Sequence, residues 1–163
     1  MGSLSCLACA PGTFSWSGQS KCISCHPGTY ISRYRDQCIL CPLGTYSYGD
    51  KPECTPCAAG TYASTLGSSM CFLCCVGQYS NQGSAECTGC PSGTYASSSG
   101  SATCTFCPVG TYSRGYQMIC TPCAAGTYAS TIGSSSCLIC PTGTTSPAGS
   151  ATCTIGIDIG QEE

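Results

Sequence analysis

The chain has 163 residues, of which 20 are cysteine and only 7% are charged, and its formal net charge at pH 7 is -2. A sequence this weakly charged carries neither a basic patch nor an acidic tail, so we expect no binding of nucleic acid or of anionic membrane. Leu, Ile, Val and Phe together supply only 21 residues, too few for an ordinary hydrophobic core. Cysteine at this density indicates a disulfide scaffold in an oxidising compartment, and we predict an extracellular or cell-surface protein.

The N-terminal edge, residues 1–5, precedes the first cysteine. Met1 to Ser5 are too few and too weakly charged for a secretory signal peptide, so we expect the leader to have been removed or to lie upstream. No stretch approaches the roughly 18 consecutive apolar residues of a membrane span, and we predict none in this chain.

Residues 6–153 form nine tandem repeats of 16 or 17 residues, each opened by a C-x-x-C pair. Between the pairs, Gly-Thr-Tyr or Gly-Thr-Phe recurs, with deviations at Gly77-Gln78-Tyr79 and Gly143-Thr144-Thr145. A second glycine precedes the next pair in all repeats except the one between Tyr30 and Cys38. Two glycine turns around a short extended piece predict one small β-hairpin per repeat. The pairs start at Cys6, Cys22, Cys38, Cys54, Cys71, Cys87, Cys104, Cys120 and Cys137, and a lone Cys153 follows.

This periodicity predicts a small disulfide-rich repeat fold, an elongated rod of tandem short β-hairpin modules with almost no helix. Contacts in such a rod are expected mostly between neighbouring repeats, and Gly, Pro and Ser disfavour helix throughout. The segments 54–71 and 120–137 differ at only two positions, which indicates recent internal duplication. After Cys153 the pattern stops. Residues 154–163 are therefore predicted to be a non-repeat tail, either a strand or the start of another domain.

The pattern C-x-x-G-T-Y, followed about eight residues later by Cys, resembles the ephrin-receptor-like cysteine-rich repeat and the first module of tumour-necrosis-factor-receptor repeats. The resemblance extends from Cys6 to Cys153. It implies that the cysteine before G-T-Y bonds the cysteine that closes the hairpin. When this pairing rule is applied to each repeat in turn, it implies nine bridges. They are Cys9 to Cys22, Cys25 to Cys38, Cys41 to Cys54, Cys57 to Cys71, Cys74 to Cys87, Cys90 to Cys104, Cys107 to Cys120, Cys123 to Cys137, and Cys140 to Cys153.

A rival scheme, which bonds alternate cysteines across neighbouring pairs, stays open because connectivity does not follow from sequence alone. The implied pairing leaves Cys6 and Cys75 over. The natural partner of Cys6 lies in a preceding repeat. Cys75 stands where other repeats have proline, and it is predicted to be either unpaired or linked to another chain by a disulfide. A free buried thiol, or a bond to Cys6 or near Cys74, is the alternative.

The spacing of the pairs also fits a four-cysteine zinc site. In an unbroken array each pair would be shared by both neighbours, and the chain has a single histidine, so disulfides are favoured and no metal or cofactor is expected. That histidine, His26, follows Cys25 at a turn position and is predicted to be solvated. No nucleophile, base and orienting acid occur together, so we predict that the protein is not an enzyme.

Tyrosines and hydroxyl side chains offer two further candidate surfaces. We expect the tyrosines of G-T-Y to pack over the adjacent disulfides rather than to form an aromatic ladder for a ligand. Clusters of Ser and Thr indicate O-linked glycans, with solvated hairpin tips as the alternative. The candidate acceptors are Ser97, Ser98, Ser99, Ser134, Ser135, Ser136, Thr144 and Thr145.

The functional prediction is an extracellular structural repeat protein, a building block of a surface stalk or of a self-assembling filament. The resemblance covers receptor ectodomains and large repetitive surface or fibre proteins, including flagellar-hair-like components, and near-identical repeats favour the second kind. Uniform, small and neutral repeats favour homomeric self-association over a recognition surface. The alternative is a ligand-binding ectodomain of a receptor, whose binding patch would be Arg33, Tyr34, Arg35 and Asp36.

Overall fold

The structure is a computed structural model that describes residues 9–10, 13–17, 19–34 and 37–155. In these ranges the regular secondary structure consists of short β-strands, without helix. Correspondingly, the described residues include no helix that is long and apolar enough to cross a membrane. The strands are β1 (Thr13–Phe14), β2 (Ile23–Ser24), β3 (Thr29–Ile31), β4 (Cys38–Leu40), β5 (Thr45–Tyr46), β6 (Thr55–Pro56), β7 (Thr61–Tyr62), β8 (Phe72–Leu73), β9 (Gln78–Tyr79), β10 (Thr88–Gly89), β11 (Thr94–Tyr95), β12 (Thr105–Phe106), β13 (Thr111–Tyr112), β14 (Thr121–Pro122), β15 (Thr127–Tyr128), β16 (Leu138–Ile139), β17 (Thr144–Thr145) and β18 (Thr154–Ile155).

Consecutive strands pair antiparallel, which gives nine two-stranded hairpins in the described part of the chain. We number them from hairpin 1 (β1 with β2) to hairpin 9 (β17 with β18). In most hairpins the first strand is the Thr-Tyr of the repeat, and in hairpins 1 to 8 the second strand contains the dipeptide between the two cysteines of the next pair. In hairpin 3, for example, Thr45 faces Pro56 and Tyr46 faces Thr55. The predicted class, a small disulfide-rich repeat of β-hairpins, is confirmed.

The chain divides into two compact units, one formed by Met1–Leu73 with Asn81–Glu86 and the other by Cys74–Ser80 with Cys87–Glu163. Hairpins 1 to 4 belong to the first unit, and the strands of hairpins 5 to 9 belong to the second. Thr154 and Ile155, which were expected in the tail, form the second strand of hairpin 9. The remainder of the predicted tail, residues 156–163, lies outside the described residues.

The turn that opens each hairpin except hairpin 5 is fixed by the threonine that follows the first-turn glycine. In hairpin 3, both the backbone N–H and the hydroxyl of Thr45 donate to the carbonyl of Pro42, at 3.2 and 2.8 Å. Gly44, just before it, has a φ of +76°, which only glycine adopts without strain. The glycine and threonine therefore act together to reverse the chain directly after the first cysteine of the bridge. The same two bonds occur at Thr13, Thr29, Thr61, Thr94, Thr111, Thr127 and Thr144.

In the first unit, three backbone hydrogen bonds join hairpin 2 to hairpin 3, and three equivalent bonds join hairpin 3 to hairpin 4; we call such a set a joint. The first-turn glycine donates to a carbonyl just after the next hairpin's tyrosine. The residue after the tyrosine donates to the next hairpin's tip, meaning the turn between its two strands. A left-handed tip residue donates back to the carbonyl of the buried cysteine. Between hairpins 3 and 4 these bonds run from Gly44 to Ala63 (2.9 Å), from Ser47 to Ser68 (3.2 Å) and from Gly67 to Cys41 (2.8 Å).

The second unit repeats the same joint between each pair of successive hairpins from 5 to 9. In hairpin 7 the tip residue is not a glycine: Tyr116 has a φ of +56° and donates to Cys90 at 2.9 Å. Asp50 takes the same place in hairpin 3 of the first unit, with a φ of +53°. The joint therefore depends on backbone groups, and the side chain at the tip is free to vary. Between hairpins 7 and 8 the bonds run from Gly110 to Ala129 (2.8 Å), from Ser113 to Ser134 (3.2 Å) and from Gly133 to Cys107 (2.8 Å).

Each unit also contains a contact that the repeat pattern did not predict, between hairpins two places apart. A Cβ built on Gly28 in hairpin 2 would lie 2.0 Å from the carbonyl oxygen of Gly67 in hairpin 4. In the second unit, a Cβ on Gly110 in hairpin 7 would lie 2.0 Å from the carbonyl oxygen of Gly149 in hairpin 9. The tip of the hairpin two places further along therefore packs directly against the backbone of the first-turn glycine. No larger residue fits between the two backbones.

We predict that, because of this contact, alanine substitution costs more stability at Gly110 than at Gly126. Gly110→Ala places a methyl group against the Gly149 carbonyl, whereas Gly126→Ala, at a similar φ of +78° against +79°, meets nothing within 4 Å. Gly126→Ala should lose about 1–2 kcal/mol of local stability from left-handed strain alone. Gly110→Ala should lose about 1–3 kcal/mol more through overpacking. Native-state hydrogen exchange at the Gly149 amide measures the difference, and equal protection in the two variants would contradict it.

Candidate functional site

The covalent framework of the chain is a series of nine disulfides in the described residues, one at the base of each hairpin. Their Cα–Cα distances lie between 5.6 and 5.8 Å, the ordinary range for a disulfide. These bonded pairs are the same nine that the family resemblance implies, and the described cysteines show no bridge of the rival alternate pairing. The bridges join Cys9 with Cys22, Cys25 with Cys38, Cys41 with Cys54, Cys57 with Cys71, Cys74 with Cys87, Cys90 with Cys104, Cys107 with Cys120, Cys123 with Cys137, and Cys140 with Cys153.

In hairpins 3 to 9 the buried interior consists mainly of disulfides and small residues, whereas Phe14 and Ile31 of hairpins 1 and 2 form a small apolar cluster with Cys25. The first cysteine of six successive bridges is fully buried, from Cys41 to Cys123. The residue after the tyrosine, or after Thr145 in hairpin 9, is also buried and is small in hairpins 3 to 9. A side chain no larger than Ala or Ser at this position lets its backbone N–H reach the next hairpin's tip. The residues at this position are Ser47, Ala63, Ser80, Ala96, Ser113, Ala129 and Ser146.

Two cysteines stand outside the nine bridges. Cys75 is exposed and is the free cysteine of the described part of the chain. Its carbonyl accepts the backbone N–H of Gln78 at 3.1 Å, so the turn has its usual backbone bond although the threonine hydroxyl is replaced. The exposure of Cys75 sets aside the alternative of a buried thiol. Cys6 lies outside the described residues.

His26 is exposed, and its carbonyl accepts both the N–H and the hydroxyl of Thr29, at 3.1 and 2.6 Å. This is the turn position that the sequence predicts. The described residues contain no group of three or more His, Cys, Asp or Glu side chains arranged to hold a metal ion.

The tyrosines of G-T-Y are half-buried, and their rings have varied neighbours. Tyr62 packs against Phe72 across its own hairpin, with ring centroids 6.2 Å apart. The guanidinium of Arg114 lies 5.9 Å from the ring centroid of Tyr112. Packing of these rings over the disulfides stays a prediction.

The candidate O-glycosylation residues differ in accessibility. Ser97, Ser98 and Ser99 are exposed, as are Ser135 and Ser136. The hydroxyl of Ser134 donates to the carbonyl of Thr131 at 2.7 Å, and that of Thr144 donates to Pro141 at 2.7 Å. Thr145 is exposed. The two hydroxyls that already donate within the hairpin are therefore the least available acceptors for a glycan.

An open groove of about 730 Å³ lies beside hairpins 2 and 3 of the first unit. It contains Arg33 and Tyr34 of the predicted charged patch, and Tyr34 is 85% exposed. Arg35 and Asp36, the other two residues of that patch, lie outside the described residues. Tyr30 and Glu53 also line the groove, and the patch predicted from the sequence did not include them. Glu53 belongs to the following repeat, and nothing in its local sequence indicates that it lies beside the tip of hairpin 2.

The architecture places the chain among the small disulfide-rich modules that are typical of extracellular proteins. In such modules, serial disulfides take the place of a large hydrophobic core. The family model for tyrosine-protein kinase ephrin type A/B receptor-like sequences matches residues 12–50, 77–114 and 110–154, which is more than half of the chain. The chain belongs to this ephrin-receptor-like family. No curated protein sequence matches it closely enough to count as a relative.

Family membership limits the functional class. The family is a cysteine-rich receptor-like module and not a catalytic domain. Together with the serial disulfides, it indicates an extracellular cysteine-rich domain. The candidate functional features are therefore the disulfide series, the joints between hairpins and the groove beside hairpin 2.

We predict that one interior bridge contributes far more to stability than the free thiol. Removing the Cys107–Cys120 bridge by a Cys107→Ala, Cys120→Ala double variant releases a loop with a sequence separation of 13 residues. The expected loss is about 3 kcal/mol from chain entropy, and the cavity at the fully buried Cys107 adds to it. Cys75→Ser, at an exposed position, should change stability by no more than about 0.5 kcal/mol. Guanidinium unfolding of the oxidised proteins tests both, and equal midpoints would contradict the account.

Proposed function

We propose that this chain is an extracellular structural repeat protein, a building block of a surface stalk or of a self-assembling filament. Its role is mechanical: serial disulfides resist unfolding, proteolysis and extension. The observation that carries the proposal is the joint, which repeats the same three backbone bonds from hairpin to hairpin. Because these bonds use backbone groups, the array extends by repetition without building a new side-chain core at each step.

Exposed apolar side chains on the second strands support self-association. Leu40 and Leu73 in the first unit are 56% and 62% exposed, and Phe106 and Ile139 in the second unit are 65% and 83% exposed. Apolar side chains that recur at one position of the repeat favour packing against another protein surface. The chain's low charge keeps the repulsion between copies small. A second copy of the chain is the partner that matches such uniform repeats.

The exposed thiol of Cys75 adds a covalent element to this proposal. An unpaired cysteine on the surface of a secreted protein is suited to a disulfide with another chain. We therefore include an intermolecular bond at Cys75, and O-linked glycans on the exposed serines of the tips, as features of the assembled protein.

The second candidate function is a ligand-binding receptor ectodomain, and the groove beside hairpin 2 favours it. The volume of about 730 Å³ is within the usual range for a small-molecule or peptide site. Its lining combines two tyrosines with the guanidinium of Arg33 and the carboxylate of Glu53. This mixture of charge and aromatic surface is unlike the uniform repeats elsewhere and suits a short peptide that carries both an acidic and a basic group.

Immunogold electron microscopy on unpermeabilised source cells tests the proposal. We expect label at regular positions along an extracellular filament or stalk, and label confined to the cell interior would contradict the extracellular role. An Arg33→Glu, Tyr34→Ala variant should enter the same structures, because the joints are made by backbone groups and neither of these side chains takes part in one. Arg114→Glu, at an exposed arginine of the second unit, is the matched control. If only the groove variant lost binding to a peptide or cell while remaining on the surface, the receptor function would be favoured.

A further inference from the structure

Hairpins two places apart also meet through one recurring pair of positions. The strand position is the last residue of the second strand, and the tip position is the left-handed residue of the hairpin two places on. In the first unit, Leu40 of hairpin 2 lies against Gly67 of hairpin 4, and a Cβ built on the glycine would be 2.7 Å from Leu40 Cδ2. In the second unit, Phe106 of hairpin 6 lies against Gly133 of hairpin 8, where the distance to Phe106 Cδ1 would be 2.8 Å. In both pairs the strand residue is large and the tip residue is glycine.

Hairpins 5 and 7 of the second unit use the same two positions with the sizes reversed. The strand position holds Gly89 and the tip position holds Tyr116. A Cβ built on Gly89 would collide with Cε1, Cζ and Cδ1 of the Tyr116 ring. One face of the ring therefore covers the glycine, while Tyr116 as a whole is 72% exposed. The carbonyl of Tyr116 also packs on Gly77, the first-turn glycine of hairpin 5, so that ring and backbone contact the same hairpin.

Each of these two residues is unfavourable in its own local structure. Tyr116 has a φ of +56°, a left-handed conformation that glycine adopts freely and a bulky residue does not. Gly89 lies in strand β10 with a φ outside the left-handed region, so its backbone does not require glycine. Glycine in a strand provides no side chain for packing and often marks a place where another group approaches closely. The contact explains both choices, because the glycine makes room for the ring and the ring covers the glycine.

The glycine tips themselves do not distinguish one docking position from another. The segments that contain Gly67 and Gly133, residues 54–71 and 120–137, differ at only two positions, and the two glycines have φ values of +75° and +76°. Tyr116 differs from them, because its ring would overlap a large strand residue. Among the second strands of the described hairpins, only that of hairpin 5 ends in glycine. The joint to the neighbouring hairpin tolerates either kind of tip residue, whereas this contact two places away does not.

We propose that Gly89 and Tyr116 are a specificity-determining pair that assigns hairpin 7 to hairpin 5 and so sets the register of the second unit. Specificity is a difference in free energy between the correct docking and the wrong ones. Tyr116 packs on glycine and is rejected by a strand that ends in a large residue. In a chain of near-identical repeats, this pair prevents hairpins from docking out of order. The assignment applies to a single chain as much as to an assembly, so it does not rest on the proposed stalk or filament.

A double-mutant cycle measured by native-state hydrogen exchange tests the pair. The readout is the protection of the amide of residue 116, which donates to the Cys90 carbonyl at 2.9 Å and is present in every variant. Gly89→Leu forces the tip away from hairpin 5 and should lower this protection about tenfold to hundredfold. In a Tyr116→Gly background, the same leucine reproduces the arrangement of Leu40 and Gly67. There it should lower the protection by no more than about threefold.

Thr88→Leu is the matched control. Thr88 precedes Gly89 in β10 and is exposed, and successive residues of a strand point to opposite faces. This variant should change the protection by no more than about twofold in either background. Intact mass under non-reducing conditions and circular dichroism verify that every variant keeps nine disulfides and the native fold. If Gly89→Leu prevents folding, Gly89→Ala replaces it in the cycle, because its Cβ alone meets the ring.

The decisive quantity is the ratio of the effects that the substitution at Gly89 has with Tyr116 and with glycine at position 116. Strain relief by Tyr116→Gly cancels in this ratio, because both backgrounds are compared with their own parent. We expect a ratio of at least about threefold. A smaller ratio would overturn the proposal, since the ring would then rest on Gly89 without selecting it. A loss from Thr88→Leu as large as that from Gly89→Leu would also overturn it, because any crowding of β10 would have the same effect.

Discussion

The disulfide at the base of each hairpin is the interaction on which the rest of the structure depends. The strands it links are only two or three residues long, and an isolated pair of this kind is unstable in water. The bridge fixes the distance between the start of the first strand and the end of the second. It also fills the interior, because the first cysteine of most bridges is fully buried. One residue type thus supplies both the restraint and the core that leucine and valine supply in larger domains.

Small residues let these stapled hairpins approach one another. Ala63 and Ser113, each following a tyrosine, are buried and leave their N–H groups within reach of the next tip. Glycine at the first turn then allows a second approach, from the hairpin two places on. Both contacts run through backbone atoms, which explains why near-neutral repeats with few large apolar side chains form regular units. The same property makes the array suited to extension, whether within one chain or between copies.

Much of this architecture was predictable from the sequence, because the hairpins are local. The spacing of Gly, Thr-Tyr and Cys specifies where each turn and strand falls, and the family resemblance implies the pairing of the bridges. The contact between hairpins two places apart was not predictable, since it depends on the rotation from one hairpin to the next. Tyr116 illustrates this limit: its left-handed backbone replaces the expected tip glycine, and its ring occupies the space left by Gly89 in hairpin 5. Glu53 joins the groove for the same reason, through contact between repeats.

The central claim is that nearest-neighbour disulfides, one per hairpin, hold this extracellular protein together. Peptide mapping by mass spectrometry tests it most directly, on native material that is digested in acid without reduction. The account predicts nine linked peptide pairs, each joining the cysteine before a first-turn glycine to the cysteine that closes the same hairpin, with Cys75 linked to another chain. Bridges between alternate cysteines, or free thiols that carry zinc, would contradict both the fold and the compartment proposed for it.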